Sequence, residues 1–320
     1  MSVLSAKHFH DEAAAYKFVE ARVWANGVTC PHCGNADEAK IGTLKGKSTR
    51  VGVRKCYACR KPFTVKVGTI FESSHVALHL WLQAIFLMAS SKKGISANQL
   101  HRTLGVTLKT AWFMAHRIRE AMREGNLGPL GGAGQIVEAD ETYFGSKTSR
   151  PEIRANTGKP YKNRGGLSTK RAVLGLVERG GRVRTFHIEQ ATKVNVAQLV
   201  TESVRIESIL MTDESRLYTG MSEVFAGHST TTHGAGEYVR YDGEAVIHSN
   251  TIESYFSVFK RGMRGTYQHC AEKHLHRYLA EFDFRHNRRV GLGMGDVARA
   301  ESILTGVVGK RLTYETTRTR

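Results

Sequence analysis

No run of apolar residues in this 320-residue chain reaches the roughly 18 positions that a membrane-spanning helix needs. The N-terminal stretch MSVLSAKHFHDEAAAYKF also lacks the apolar centre of a signal peptide. These absences predict a soluble intracellular protein. Cysteine is scarce: there are five, four of them in two close pairs, with Cys270 left over. That distribution argues against the disulfide framework of a small secreted domain. Acidic residues are also in short supply, with 29 Asp and Glu against 47 Lys and Arg and a formal net charge of +18. A chain this basic favours a polyanionic partner, nucleic acid first, and so a cytoplasmic, nucleoid-associated location. Its length allows two or three domains, one of them with a sizeable core.

The two cysteine pairs are Cys30-Pro-His-Cys33 and Cys56-Tyr-Ala-Cys59, separated by a basic stretch with strand-like pieces. Each C-x-x-C places two thiolates on one tight knuckle, and two knuckles complete a tetrahedral Zn²⁺ site. The spacing predicts a zinc ribbon, with KPFTVKVGTIFE supplying a ribbon strand and a short amphipathic helix preceding it in residues 1–25. His32 lies inside a knuckle and is expected to face solvent. A module this small takes most of its stability from the metal.

A largely buried helix is expected over 79–90, followed by the polar break SSKKG. The segment ISANQLHRTLGVTLKTAWFMAHRIREAM then reads as helix, turn, helix, with Ser96 and Thr107 as N-caps and Gly105 in the turn. In a DNA-binding helix-turn-helix, Lys109, Thr110, His116 and Arg117 become candidates to face DNA, while Leu100, Leu104, Val106, Ala111 and Ile118 hold the pair together. The bland alternative is an ordinary helical hairpin. GNLGPLGGAG, residues 125–134, reads as a linker.

Beyond it, strands are expected at 135–144, near 171–178, near 182–189 and near 208–213, with a helix near 194–205 between the last two. A helix near 216–226, a strand around 236–241 and a helix from about 250 complete the pattern, a mixed α/β sheet covered by helices. Asp140 closes the apolar run of QIVEADETYFG, and Asp213 that of SILMTDESRLY. In HSNTIESYFSVFK, residues Ile252, Tyr255, Phe256 and Phe259 recur at helical steps. Glu253 and Lys260 are seven apart, about two turns, and share a helix face. An acid at the C-terminal end of a buried strand is exposed where open α/β sheets bind ligands. Strand alternation puts Glu138 on the face of Asp140 and turns Glu141 away. The stretch 145–171 is strongly basic, including Arg164 and Lys170, and is read as a phosphate-gripping loop. Arg261 and Arg264 continue the positive charge after the third acid.

Asp140, Asp213 and Glu253, with Lys260 two turns on, resemble the DDE transposase pattern. The Asn250 to Glu253 spacing and the cysteine-rich N-terminus are similar to those of bacterial insertion-sequence transposases related to eukaryotic Merlin elements, the ISXO-like group. The resemblance implies a multidomain α/β chain with a ribonuclease H-like mixed-sheet catalytic core preceded by the zinc ribbon and helix-turn-helix module. The corresponding boundaries are 1–72 for helix and ribbon, 73–125 for the helix-turn-helix, 126–134 for the linker, 135–310 for the core and 311–320 for the tail.

It also implies a Mg²⁺-dependent enzyme, with Mn²⁺ as a substitute, that cuts and joins double-stranded DNA as a dimer or larger assembly on its element's ends. Two ions would be held by Asp140, Asp213 and Glu253, with Lys260 on substrate phosphate. Asn250 remains an alternative third member, because some relatives carry Asn there, and otherwise a helix cap. Two readings compete. His274-Leu275-His276 near Tyr278 resembles the motif of tyrosine nucleases, but KHLHRYLAEFDF has helical periodicity, unsuited to two alternating ligands. A DNA-binding regulator, or an inactive domesticated copy, would leave the three acids unexplained.

Overall fold

The computed structural model describes residues 2–125, 127–146, 170–243 and 245–313. Two compact units divide the chain: residues 1–124 with 288–320, and residues 125–287. Among the described residues, no helix is long and apolar enough to cross a membrane.

In the first unit, Asp11 caps helix α1 (Glu12–Val23) by accepting from Ala14 N at 2.7 Å. The ribbon follows as an antiparallel sheet of β1 (Ile41–Thr43), β2 (Arg54–Cys56) and β3 (Pro62–Phe63). Helix α2 (Leu78–Ser90) begins without a capping side chain of its own. Glu12 supplies the cap from α1, accepting from Leu78 N at 2.8 Å and His79 N at 3.1 Å. The next pair, α3 (Ala97–Leu104) and α4 (Leu108–Met122), starts at the caps read from sequence: Ser96 Oγ accepts from Gln99 N and Thr107 Oγ1 from Thr110 N. Gly105 sits between them at φ +67°, a left-handed conformation that glycine adopts without strain.

Two expectations fail here. His116 and Arg117, candidates to face DNA, are 0% and 6% exposed. Arg117 Nη1 donates to the carbonyls of Ile70 and Glu72 at 2.8 and 2.7 Å, so its charge fastens a loop of its own unit. The reason is length: a fifteen-residue α4 makes about four turns, and its second half, Met114 to Met122, is buried on every side. Lys109 is exposed and Thr110 half-buried at its N-terminal end.

The boundary at 310 also moves. Helix α8 (Asp296–Thr305) buries Ala300, Ile303 and Leu304 in the first unit, and Arg299 Nη1 donates to Ala89 O at the end of α2. The second unit therefore ends at Asn287, whose side-chain amide brackets the backbone N–H and carbonyl of Val183.

The second unit is built on a five-stranded sheet of order β6-β5-β4-β7-β8. Strands β4 (Ile136–Phe144), β5 (Arg171–Glu178) and β6 (Val183–Ile188) are antiparallel neighbours. After helix α5 (Lys193–Ser203), strands β7 (Ile209–Asp213) and β8 (Gly227–Thr231) run parallel to β4. This is the mixed ribonuclease H-like sheet. One face packs Val137, Ala139, Leu174 and Leu210 against Val196 and Val200 of α5. The other packs Val173, Val177 and Phe144 against α6 (Asn250–Gly262) and α7 (Leu275–Asn287).

The expected helix at 216–226 is two short 3₁₀ turns, Arg216–Tyr218 and Met221–Glu223, interrupted by Gly220 at φ +93°. The expected strand at 236–241 is displaced into a hairpin of β9 (Arg240–Asp242) and β10 (Ala245–Ile247). The expected linker belongs to the unit: Leu130 is 2% exposed, donates to Ser203 O and accepts from Arg205 N. At Gly131, φ +76°, an added Cβ would meet Ser208 Oγ at 2.1 Å, so the chain passes there only as glycine. Arg164, with residues 147–169, and the tail from 314 lie outside the described residues. Arg171, counted with the basic loop, opens β5 and is 8% exposed, whereas Lys170 is exposed.

Candidate active site and zinc centre

Parallel pairing between β4 and β7 runs Ile136↔Ile209, Val137↔Leu210, Glu138↔Met211 and stops. Asp140 and Asp213 lie two residues further along each strand, just past the last parallel pair: Asp213 ends β7, whereas Asp140 is in the middle of β4, which continues to Phe144 against β5. Helix α6 supplies the third acid. It lies close to the sheet because Asp140 is paired with Gly175, where an added Cβ would come within 2.7 Å of Ile252 Cδ1 and Phe256 Cζ. An open cleft of about 450 Å³ results, lined by Asp140, Glu141, Thr142, Glu253, Lys260, Arg261 and Arg264 among others. Carboxylates and cations thus face one space.

Burial pushes the Asp140 carboxyl up to about 8, with Glu141, Asp213 and Glu253 adding repulsion. Burial also raises Asp213 and Glu141. Hard oxygen donors that repel one another in a partly desolvated cleft are matched to a hard divalent cation, which removes the repulsion when it binds. Among the described residues the three acids do not draw together into a close ligand cluster as the four cysteines do, so it is the chemistry of the donors, hard and mutually repelling, that suits Mg²⁺ or Mn²⁺. Asn250, the alternative third member, is exposed on the first turn of α6; like Asp213 it is absent from the cleft lining, but unlike Asp213 it does not perturb the Asp140 carboxyl. Nor does it cap the helix, since that position is Ser249.

Three acids that neighbour Asp140 and Asp213 in sequence act as acceptors that hold the site together. Glu138 is 0% exposed and accepts from Thr251 N, Thr251 Oγ1 and Ile252 N at 2.8, 2.8 and 3.1 Å, so β4 itself caps α6. Arg179 Nε donates to Glu138 at 3.0 Å and balances its charge. Glu141, on the opposite sheet face, accepts from Tyr218 Oη at 2.9 Å and Ser215 Oγ at 3.3 Å. It ties β4 to the turn after Asp213, beyond the last backbone pairing of the two strands. Glu214 accepts from His233 N and Gly234 N at 2.9 and 2.8 Å. Sequence reasoning placed Glu138 on the correct face and missed these partners, which come from residues up to 114 positions away. It also missed His233, whose Nε2 lies 3.4 Å from Glu253 Oε1. No local signal marks that histidine.

Of the other charged candidates, Lys260 is half-buried in the cleft wall, and Arg261 and Arg264 are exposed. Further along, Arg285 on α7 is buried in an ion pair with Glu281 and adds nothing to the basic surface.

In the ribbon, the sulfurs of Cys30, Cys33, Cys56 and Cys59 all lie within 4.8 Å of one another. The Cys30–Cys59 and Cys33–Cys56 separations are 3.7 and 3.8 Å. A tetrahedron with Zn–S bonds of about 2.3 Å has S–S edges of about 3.8 Å, so the donor set fits Zn²⁺. Backbone N–H donation from Cys59, against burial, and further donation from Ala58 hold the Cys56 thiol down at about 7, whereas, against backbone donation from Asn35, desolvation and the neighbouring sulfurs push Cys33 up to about 12, so without metal the four sulfurs share their protons unequally.

Comparison with known proteins adds two family matches. Residues 129–287 match the ISXO2-like transposase domain, and residues 10–62 match the transposase zinc-ribbon domain. An uncharacterised protein in transposable element ISH50 of Halobacterium salinarum is 29% identical over 293 residues, covering 88% of this chain and 93% of that protein. Two solved structures share 13–15% identity: the Mos1 strand transfer complex (TM-score 0.26, 69% of this chain and 72% of that one) and a simian T-cell lymphotropic virus intasome bound to a PP2A regulatory subunit (0.27, 57% and 63%). The sheet, the four-cysteine knuckle and the two matched segments lead to one conclusion: the chain joins a transposase zinc-ribbon domain at residues 10–62 to an ISXO2-like transposase domain at residues 129–287.

Proposed function

We propose that Asp140, Asp213 and Glu253 hold two divalent cations and that the cleft cuts and joins DNA strands at the ends of the element. The observation that carries this reading is one cleft wall on which Asp140 and Glu253 face Lys260, Arg261 and Arg264, with Asp213 close enough to raise the Asp140 carboxyl. Asp140, whose carboxyl both other acids repel, would hold the cations together with Asp213 and Glu253. When bound, such cations lower the pKa of a water or hydroxyl and stabilise charge on the attacking and leaving oxygens.

The chain's own residues do the rest. Lys260 contacts the scissile phosphate, and Arg261 and Arg264 offset the repulsion between the acids and the DNA backbone. Glu141, tied to Tyr218 and Ser215, keeps Asp140 and Asp213 at a fixed separation. In the first step a water oxygen bonds to phosphorus and the P–O3′ bond breaks, leaving a 3′-hydroxyl on the element and a 5′-phosphate on the flank. In the second, that 3′-oxygen attacks a target phosphodiester and displaces the target's own 3′-oxygen. The ribbon and the α3–α4 pair bind the element's ends, with Lys109 and Thr110 at the exposed start of α4 and Lys170 and Arg164 gripping phosphates. Because two ends are joined to one target, the working form is a dimer or larger assembly on DNA.

The test is strand cleavage and joining by zinc-loaded protein with Mg²⁺, on DNA carrying the gene and its flanks. Defined 3′ ends and joined products from wild type, lost in Asp140→Ala and Glu253→Gln, are expected. Full activity in Glu253→Gln would transfer the third place to Asn250. Flank binding without any cutting by wild type would leave a DNA-binding regulator.

A further inference from the structure

Glu253 is gripped at one of its two oxygens. Ser249 Oγ, 1% exposed as a residue at the start of α6, donates to Glu253 Oε1 at 2.9 Å. His233 Nε2 lies 3.4 Å from the same oxygen. Among the described residues no donor reaches Oε2, and Glu253 lines the cleft. One oxygen is fixed by the protein, and the other is left for the cleft.

The imidazole arrives there by a route that begins next to Asp213. Strand β8 pairs Thr231 with Asp213, so the chain leaves the sheet level with the second acid. It then forms the 3₁₀ turn His233–Ala235, and Glu214 clamps that turn through the N–H groups of His233 and Gly234. Gly236, at φ +78°, ends it. Thr231 Oγ1 lies 3.3 Å from His233 Nε2, so that nitrogen sits between the hydroxyl and the Glu253 carboxylate. Tyr238 covers the ring, with centroids 5.4 Å apart. Every feature of the turn fixes where the imidazole points.

We propose that His233 is a positioning residue for Glu253: it holds Oε1 so that Oε2 is presented to the ions, and Glu214 builds the turn that delivers it. This assignment rests on the reading of the three acids as an ion site. A contact of 3.4 Å between part-exposed groups is energetically small. Its effect is orientational, because a ligating carboxylate that must first be ordered binds its ion more weakly. Loss of a partner that orients a metal ligand typically weakens affinity about 10- to 100-fold.

The experiment titrates Mn²⁺ into full-length, zinc-loaded wild type, His233→Ala, His233→Gln, Glu214→Ala and Asp140→Asn. Free ion is followed by electron paramagnetic resonance, with melting temperature and DNA-end binding measured in parallel. His233→Ala should weaken one Mn²⁺ site by roughly tenfold or more and shift the Mn²⁺ concentration for half-maximal cleavage by the same factor. Its melting temperature and DNA affinity should stay at wild-type values. His233→Gln, whose amide can donate to the same oxygen, should recover most of the affinity, and Glu214→Ala should reproduce part of the loss. Wild-type Mn²⁺ binding in His233→Ala would overturn the assignment alone. So would equal loss of ion binding and melting temperature in both His233 variants, which would make the residue structural. Wild-type protein with no Mn²⁺ binding sensitive to Asp140→Asn would overturn the ion site itself, and the assignment with it.

Discussion

The ribbon and the acid cleft both gather widely separated ligands, but they depend on metal in opposite ways. The ribbon's own buried cluster amounts to Cys30, Cys56 and Phe63, with partly buried residues around them. So little apolar surface cannot offset the entropy of ordering some forty residues, and two of the three buried side chains are themselves ligands. The cleft sits on a five-stranded sheet with apolar cores on both faces. There the fold is complete before any ion arrives, and it holds carboxylates in positions they resist. In the first case metal creates structure; in the second, structure precedes the ions proposed to bind there.

The largest effect that would break this contrast comes from removing zinc. Chelation, or Cys56→Ser, should unfold the ribbon, since structural Zn²⁺ is worth about 10–16 kcal/mol in comparable small modules. Proteolysis should then cut within residues 25–67 while a fragment spanning 125–287 persists; loss of both together would refute the contrast. Next is Asp140→Asn, which should abolish cleavage and yet stabilise the ion-free protein at pH 8. The sign follows from linkage. A carboxyl raised from 3.8 to about 8 contributes stability present below about pH 4 and lost as pH rises through about 8. Removing its charge flattens that decline, and Asp213 and Glu141, both raised, add slope in the same direction. Differential scanning fluorimetry should show the variant melting roughly 4 °C or more above wild type at pH 8, a gap that closes at pH 4 or with Mg²⁺ present.

Smaller effects sharpen the account of how the fold imposes the site. Glu138→Ala removes the cap of α6 and the carboxylate beside Arg179, whose guanidinium keeps the carbonyls of Val246 and His248, so the second unit should lose about 1–3 kcal/mol in denaturant unfolding. Gly175→Ala forces a methyl between β5 and α6 where Ile252 and Phe256 are buried; overpacking of this kind costs roughly 1–3 kcal/mol. Because the strain falls opposite Asp140, cleavage should drop by more than the change in unfolding explains. Asn250→Ala should change cleavage by less than about twofold, since the residue is exposed and outside the cleft. A large loss there would reopen the identity of the third acid.

Local chemistry made much of this legible in the sequence. Strands β4 to β7 and helix α5 were readable because their apolar residues keep one period, and Ser96, Gly105 and Thr107 because caps and turns are decided within four residues. Strand β8 was not: Gly-His-Ser-Thr-Thr carries no apolar alternation, and it becomes a strand only because β7 offers it an edge. His116 and Arg117 were misplaced because helical periodicity shows which residues share a face but not how many faces are covered. Asp213 could be placed from the end of its strand; Asp140 could not, because β4 runs four residues beyond it on the pairing that β5 supplies. The work of Glu138, Glu141, Glu214 and His233 could not, because each acts on partners that only the folded sheet brings near.

The return of α8 to the first unit has a consequence for synthesis. Residues 125–287 are an insertion within that unit, so the insert finishes emerging from the ribosome while its host still lacks Ile303 and Leu304. The nuclease half is ready first. The half proposed to recognise DNA closes only when residue 305 has cleared the exit tunnel, so a message truncated between 287 and 305 yields a cutting module whose address is never completed.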